Sequence, residues 1–279
     1  MGQPQSLLAA PWPARSARQA MIMGIVNATP DSFSDGGRFG STASAINHAE
    51  ALAAEGADIL DIGGESTRPG AVPVPEAEER DRVMPLVSAL KNRKNDIPIS
   101  IDTYKSATAA AALAAGATIV NDVWGLSHDP DMARVVAEHE AGLVIMHNRA
   151  SAESSLDIVE DMRRFFSNSL EIAFKAGIPA NRIALDPGIG FGKTFDQNLA
   201  AIRAIPRLNA MGHAVLLGCS RKSFLGLITG RPVDARLSGT LACAMIGLEL
   251  GASILRVHDV AAHVDALRVH DALSSRELS

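Results

Sequence analysis

The sequence predicts an α/β protein of the (β/α)8 TIM barrel class, on three observations. Apolar runs of strand length alternate with helical patterns, and eight such pairs follow residue 20. Gly56, Gly116, Gly177 and Gly251 stand where helices should end, the place that favours a left-handed residue. The fingerprint GxGxxG, which usually follows the first strand of an open doubly wound sheet, is missing. Strands alternating with helices imply parallel pairing through right-handed crossovers, and eight units are the number that closes a barrel.

The strands are expected at 21–26, 57–62, 97–101, 118–120, 142–146, 182–185, 214–217 and 253–257. The helices are expected at 42–55, 76–90, 106–115, 130–140, 155–176, 196–205, 237–250 and 261–273. The first strand, "MIMGIV", is followed by the long polar stretch "NATPDSFSDGGRFG" before its helix can begin. The second is followed by "GGESTRPGAVPVP", where Pro69, Pro73 and Pro75 stiffen the chain. Asp129 before Pro130 reads as an N-cap.

The chain has 279 residues, about the size of one large α/β domain, and nothing resembling a linker divides it. Residues 21–279 are therefore expected to form a single domain. Residues 1–20, with Pro4, Pro11 and Pro13, read as a disordered or loosely attached leader, too weakly apolar for a signal peptide. Hydrophobic residues make up 47% of the chain and aromatics only 4%, so Ala, Val, Ile and Leu must fill the core. The net charge of −5 argues against a nucleic-acid partner or an anionic membrane surface. Cys219 and Cys243 make neither a disulfide framework nor a metal spacing, which suits a reducing cytoplasm. No apolar run is long and charge-free enough to span a membrane.

A barrel places its active site at the C-terminal ends of its strands. Those ends carry Asn27, then Asp61 with Glu65 to Arg68, Asp102, Asn121 with Asp122, His147, Asp186, the run Ser220–Arg221–Lys222, and Arg256 with His258. Helix capping accounts for some of the Asx and Ser residues but for no arginine or lysine. Two other motifs fail on spacing. "DPGIGFGKT" lacks the first glycine of a P-loop, since Pro187 stands in its place. His147, His258 and His263 lack zinc-ligand spacing, and His139, His213 and His270 read as surface residues. Carboxylates and amides (Asp102, Asn121, Asp186) suit a flat heterocycle with several N–H donors. Arg68, Lys222, Arg256 and His258 suit an anion. On these grounds sugar, pterin and nucleobase ligands all stay open.

Seven segments, "MGIVNATPDSFSDGG", "DIGGESTRPGA", "SIDTYKS", "IVNDVWG", "DPGIGFGK", "GCSRKSFLG" and "LRVHDV", appear in order, each at a strand end. In these the chain resembles the dihydropteroate synthases, a pterin-binding barrel family, from Met21 to about His270. The resemblance implies a transferase of folate biosynthesis. It would condense 6-hydroxymethyl-7,8-dihydropterin diphosphate with p-aminobenzoate, giving 7,8-dihydropteroate and diphosphate. It implies that Asp102, Asn121, Met146, Asp186, Phe191 and Lys222 contact the pterin. Asn27, Arg68, Arg256 and His258 would bind diphosphate, with Asn27 also holding Mg2+. Thr67, Arg68, Pro69, Phe33 and Ser223 would meet p-aminobenzoate, which sulfonamides would displace as competitive inhibitors. Asp102, Asp186, Lys222, Arg256, His258 and Asp35 are the catalytic set that it implies. Residues 27–40 and 64–75 resemble the family's two mobile loops, and a homodimer is expected from the same likeness.

The segment "IMHNRASAESS" departs from the family pattern at Asn148 and Arg149. Two competing readings share the barrel. A pterin-dependent methyltransferase would lack "TPDSFSDGG" and "SRKSF", because it expels no diphosphate. An inactive pterin-binding paralogue should have lost rim residues, yet all those named are present.

Overall fold

The computed structural model describes residues 8–13, 18–28, 37–66, 72–93 and 97–274, with the backbone alone for 37–41. Eight parallel strands close into one barrel in sequence order. They are β1 (Met21–Asn27), β2 (Ile59–Gly63), β3 (Ile99–Asp102), β4 (Ile119–Asp122), β5 (Gly142–Met146), β6 (Ile183–Asp186), β7 (Ala214–Leu217) and β8 (Ile254–Val257). The helices around them are α1 (Gly37–Ala54), α2 (Glu76–Lys91), α3 (Ser106–Ala114), α4 (Met132–Glu138), α5 (Ile158–Lys175), α6 (Phe195–Arg203), α7 (Ile205–Asn209), α8 (Ser223–Thr229), α9 (Leu237–Glu249) and α10 (Val260–Ser274).

The differences from expectation have local causes. Strands β2, β3, β4 and β6 run past their apolar residues to Gly63, Asp102, Asp122 and Asp186. The ladder continues where side chains turn polar, because backbone pairing does not depend on them. Helix α1 takes in Gly37, which was expected to lie in the first loop. The helix expected at 196–205 stops at Arg203; α7 restarts at Ile205, with Pro206 in its first turn. The short α8 follows Lys222 and ends on Gly230, whose φ of 67° is left-handed. Two helix starts are firmly capped. Asp157 accepts from the N–H groups of Val159 and Glu160, and Thr194 forms a reciprocal capping box with Gln197.

Two apolar layers result from the pleat. Ile22, Leu60, Ile62, Ile99, Ile101, Val120, Leu143, Ile145 and Leu185 face the helices in the larger core. Met21, Met23, Ile59, Ile119, Val144, Ala184, Ala214, Leu216 and Ile254 fill the barrel interior.

Residues 8–13 correct the expectation of a loose leader. Trp12 is buried in the interior cluster, and Leu8 packs beside it. The Trp12 indole N–H donates to Arg182 O (2.9 Å), the Ala9 N–H to Asn181 O (2.8 Å) and Arg182 Nε to Ala10 O (3.2 Å). A Cβ on Gly142 would come within 2.9 Å of the indole nitrogen, so the first residue of β5 has to be small. One aromatic ring thus closes the lower end of the barrel, where apolar strand starts would otherwise meet water. Residues 1–7 and 14–17 of the expected leader lie outside the described residues.

Candidate active site

Strand alternation selects which polar residues enter the barrel mouth. Side chains two residues apart share a face. Two residues beyond the interior layer stand Asp61 after Ile59, Asn121 after Ile119, Met146 after Val144, Asp186 after Ala184 and Arg256 after Ile254. On β3 the buried Ser100 is followed two residues later by Asp102. Asp102 pairs in register with Asn121, and Met146 with Asp186.

Asp61, Asp102, Asn121 and Asp186 are 0%, 6%, 2% and 4% exposed, so their polar atoms must find partners inside the site. Arg256 supplies some of them. Its Nε donates to Asp61 Oδ2 (2.6 Å) and its Nη2 to Asp102 Oδ2 (2.7 Å). Asn121 Nδ2 also donates to Asp61 Oδ2 (3.1 Å). Three acceptors are left over: Asp61 Oδ1, Asp102 Oδ1 and Asn121 Oδ1 are buried without a protein hydrogen-bond partner among the described residues. Burial raises the Asp102 pKa to about 7, against the pull of Arg256 and with the help of Asp61 and Glu79. Arg256 loses hydration too, yet Asp61 and Asp102 hold its pKa above the ordinary value.

The loop after β6 is folded around one lysine. Lys193 Nζ donates to Gly188 O (2.8 Å), Phe191 O (3.1 Å) and His147 O (3.3 Å). Burial lowers its pKa to about 7, while Asp186 and Asp161 favour its charge. Gly188 has φ 64° and a Cβ there would lie 1.9 Å from His147 O, so glycine is required twice over. Its N–H donates to Asp186 Oδ1 (2.7 Å). That bond fixes the Asp186 carboxyl, whose pKa is nevertheless raised by burial. Lys222 Nζ lies 4.2 Å from the centre of the Phe191 ring. Desolvation and then Arg256 lower the Lys222 pKa to about 8, although Asp186 and Asp102 work the other way.

The loops after β7 and β8 are tied to each other. Arg221 has φ 56°, an unfavourable region for a residue with a Cβ. Its guanidinium grips Asp259 through Nε (3.0 Å) and Nη2 (2.5 Å), and its backbone bonds Thr240 and Arg236. Ser220 Oγ lies 2.9 Å from His258 Nδ1 and accepts the His258 N–H (3.3 Å). The hydroxyl can donate to Nδ1 or accept from it, so this contact holds the His258 ring in place in either tautomer.

Several expectations are corrected here. His147 was expected at the rim, but its ring turns outward against Phe165 and Phe166 of α5, and its Nε2 lies 3.1 Å from Asp161 Oδ2. Burial, and then Lys193, lowers its pKa to about 4. Asp122 is spent on a turn, accepting from the N–H groups of Trp124 (2.9 Å) and Leu126 (2.7 Å). Asp129 caps the turn that leads into α4, which begins two residues later than expected, and it serves a second helix too. One oxygen takes the N–H of Ser106 at the start of α3 and the other that of Asp131. His213 is buried instead of exposed, with Phe174 stacked at 6.2 Å. Asn27 is exposed at the end of β1, and Ser223 is exposed as the first residue of α8. Phe33, Asp35, Thr67, Arg68 and Pro69 lie outside the described residues. Among the described residues no cluster of three His, Cys, Asp or Glu side chains could hold a metal, and no helix is long and apolar enough to cross a membrane.

A family profile for pterin binding enzymes matches residues 23–258. The dihydropteroate synthase of Clostridium beijerinckii is 46% identical over 256 residues, which span 91% of this chain and 94% of the relative. The chain belongs to the dihydropteroate synthase family of pterin-binding enzymes. Solved structures agree. The synthase of Clostridium difficile, crystallised with pteroic acid, matches with a TM-score of 0.89 and 46% identity over 92% of this chain and 98% of its own. The Xanthomonas albilineans synthase with 4-aminobenzoic acid gives a TM-score of 0.89 and 44% identity over 93% and 94%.

Sequence reasoning passed over two members of the site. Asp61 was noted at its strand end but given no role, although the two-residue step from Ile59 points it at Arg256. Lys193 was considered only within a failed P-loop, although a lysine among so many glycines and apolar residues asks which carbonyls it serves.

Proposed function

We propose that this chain transfers the pterin-methyl group of 6-hydroxymethyl-7,8-dihydropterin diphosphate to the amine of p-aminobenzoate, releasing diphosphate and forming 7,8-dihydropteroate. The observation that carries the reading is the set of buried acceptors on Asp61, Asp102 and Asn121 that lack protein partners among the described residues, beside Asp186 and Lys222. A flat heterocycle edged with N–H groups supplies the donors that these acceptors need. Met146 and Phe191 offer it apolar walls, and Lys222 donates to its ring carbonyl.

The chemistry follows from charge. Aryl amines are weak nucleophiles, so a dissociative path is favoured. As the C–O bond lengthens, positive charge grows on the pterin methylene and negative charge on the departing oxygen. Asp102 and Asp186 stabilise the first, with Asp35 on the first loop as a further carboxylate. Arg256, His258 and Arg68 stabilise the second. Arg256 bonds Asp61 and Asp102 at the floor of the mouth, so it joins the pterin side to the diphosphate side. Ser220 orients His258 and forms no covalent intermediate. Thr67, Arg68, Pro69, Phe33 and Ser223 receive p-aminobenzoate, and sulfonamides of similar shape compete with it there.

We assign Mg2+ to Asn27 and the substrate diphosphate. An exposed amide oxygen at a strand end suits this hard cation, which keeps most of its shell as water and phosphate oxygens. When bound, it neutralises charge on the leaving diphosphate. The exposed Leu227, Ile228 and Ile246 on α8 and α9 support a homodimer through this face, in a reducing cytoplasm.

Diphosphate release from the pterin substrate, followed with and without p-aminobenzoate, tests the function. Release that depends on the amine, with dihydropteroate formed one for one, is expected. Pterin binding without any release would favour the inactive paralogue instead.

A further inference from the structure

We propose that Arg221 is a positioning residue for Lys222: its ion pair with Asp259 holds a left-handed backbone that turns the lysine into the pterin site. The proposal rests on the pterin role given to Lys222 above. Among the described residues three that are not glycine have a left-handed φ: Leu126, Glu140 and Arg221. Glu140 closes the end of α4, donating its N–H to Ala137 O (3.1 Å), and Leu126 closes the turn held by Asp122. Arg221 does neither. It stands between β7 and α8, one residue before Lys222, with φ 56°. Glycine takes such a φ without strain and arginine does not, so an arginine kept there calls for a use of its side chain.

Its partners show that use. The guanidinium holds both oxygens of the Asp259 carboxylate, through Nε (3.0 Å) and Nη2 (2.5 Å). Thr240 Oγ1 accepts the Arg221 N–H (3.1 Å), and Arg236 Nη1 donates to the Arg221 carbonyl (3.0 Å). Arg236 is itself pressed against α8, since a Cβ on Gly226 would lie 2.3 Å from its Nη2. The side chains of Arg221 and Asp259 are 37% and 22% exposed, and an ion pair so open to water adds little to stability. Its effect is on direction. Lys222 is the N-cap residue of α8, yet its side chain makes no capping bond. The stem runs past Gly190, where a Cβ would come within 3.2 Å of Lys222 Cδ, and Nζ lies over the Phe191 ring. So narrow a slot admits the lysine from one backbone direction. Strain persists beside a functional group where the surroundings over-determine it. Without the ion pair the backbone relaxes toward ordinary φ. The aimed lysine is then one arrangement among several, and a ligand that needs it binds in proportion to its population.

The test is the calorimetric affinity of folded protein for 6-hydroxymethylpterin across a set of variants. Arg221→Met keeps the Cβ and removes the ion pair. Its affinity should fall about tenfold, as when the competent arrangement drops to about a tenth of its population. Arg221→Gly removes the pair and the strain together, and should recover most of that loss. Glycine would not rescue an arginine whose role was only structural. Asp259→Ala leaves Arg221 strained and unpaired, so it should match Arg221→Met and decides the matter if that variant does not fold. Adding Asp259→Ala to Arg221→Gly should cost nothing further. Wild-type affinity in Arg221→Met or Asp259→Ala would overturn the proposal. So would a loss in Arg221→Gly as large as in either, or a further loss in the double variant. Lys222→Met checks the reading beneath it and should bind at least about tenfold more weakly, from the loss of a charge-assisted bond. Unchanged affinity there would remove the pterin role of Lys222, and the proposal with it.

Discussion

The two ends of this barrel are made of the same strands and obey opposite rules. At the lower end Met21, Ile59, Ile119 and Ile254 pack against Trp12, and the one polar atom of that ring is satisfied by Arg182 O. Two residues further along the same strands, Asp61, Asn121 and Arg256 stand at the mouth, and acceptors there have no partner among the described residues. An unpaired buried polar group costs about 1–3 kcal/mol, so the mouth gives up stability that the lower end provides. The division teaches where to look for function in such a chain: at the end where burial and polarity conflict.

Substitutions should separate the two ends cleanly. The largest effect is expected from Trp12→Ala, which opens the lower end. Its unfolding free energy, measured in denaturant, should fall by about 3–5 kcal/mol, with kcat per folded molecule unchanged. A loss of kcat without a loss of stability would mean that the lower end serves the chemistry.

Next in size is His258→Ala. If it holds the leaving group, kcat and kcat/KM should fall by similar factors, worth about 2.7–4 kcal/mol in a dry site. Affinity for the bare pterin should not move. Parallel losses in both would show that His258 only orders the loops joined by Ser220.

The smallest effect is a pH dependence of pterin binding. Asp102, with its pKa raised to about 7, accepts through both oxygens only when ionised, so affinity should fall as pH drops through that value. Lys222, lowered to about 8, donates as an ammonium only below that value, so affinity should fall again above it. Each limb approaches at most about tenfold per pH unit. Calorimetry from acid to alkaline pH should give a maximum between the two, and a flat profile would deny these groups a direct part.

Much of this contrast was legible in the sequence. The eight strand–helix units follow from apolar runs and helix-ending glycines, because parallel strands are buried on both faces. The strand ends pointed to the mouth where Asp61, Asp102, Asn121, Asp186 and Arg256 stand. What a strand end does not show is which way each side chain turns, and adjacent residues turn oppositely. Asn121 and Met146 enter the mouth while Asp122 and His147, one residue later, turn to a turn and a helix. The period-2 step from the interior layer resolves this, and it depends on knowing which residues form that layer. Trp12 was missed for another reason. A single ring in a proline-rich stretch has no periodicity, and only the closed barrel creates the hole that it fills.

The most direct test of the division is Asp186→Asn with two readouts on one preparation. The amide keeps the oxygen that accepts from Gly188 and removes a buried charge whose pKa is already raised. The account predicts a melting temperature equal to or above the wild type. It predicts pterin affinity lower by at least about tenfold, from the loss of a charge-assisted bond worth about 1.5–3 kcal/mol. Unchanged affinity, or a fall in stability that matches the fall in affinity, would contradict it.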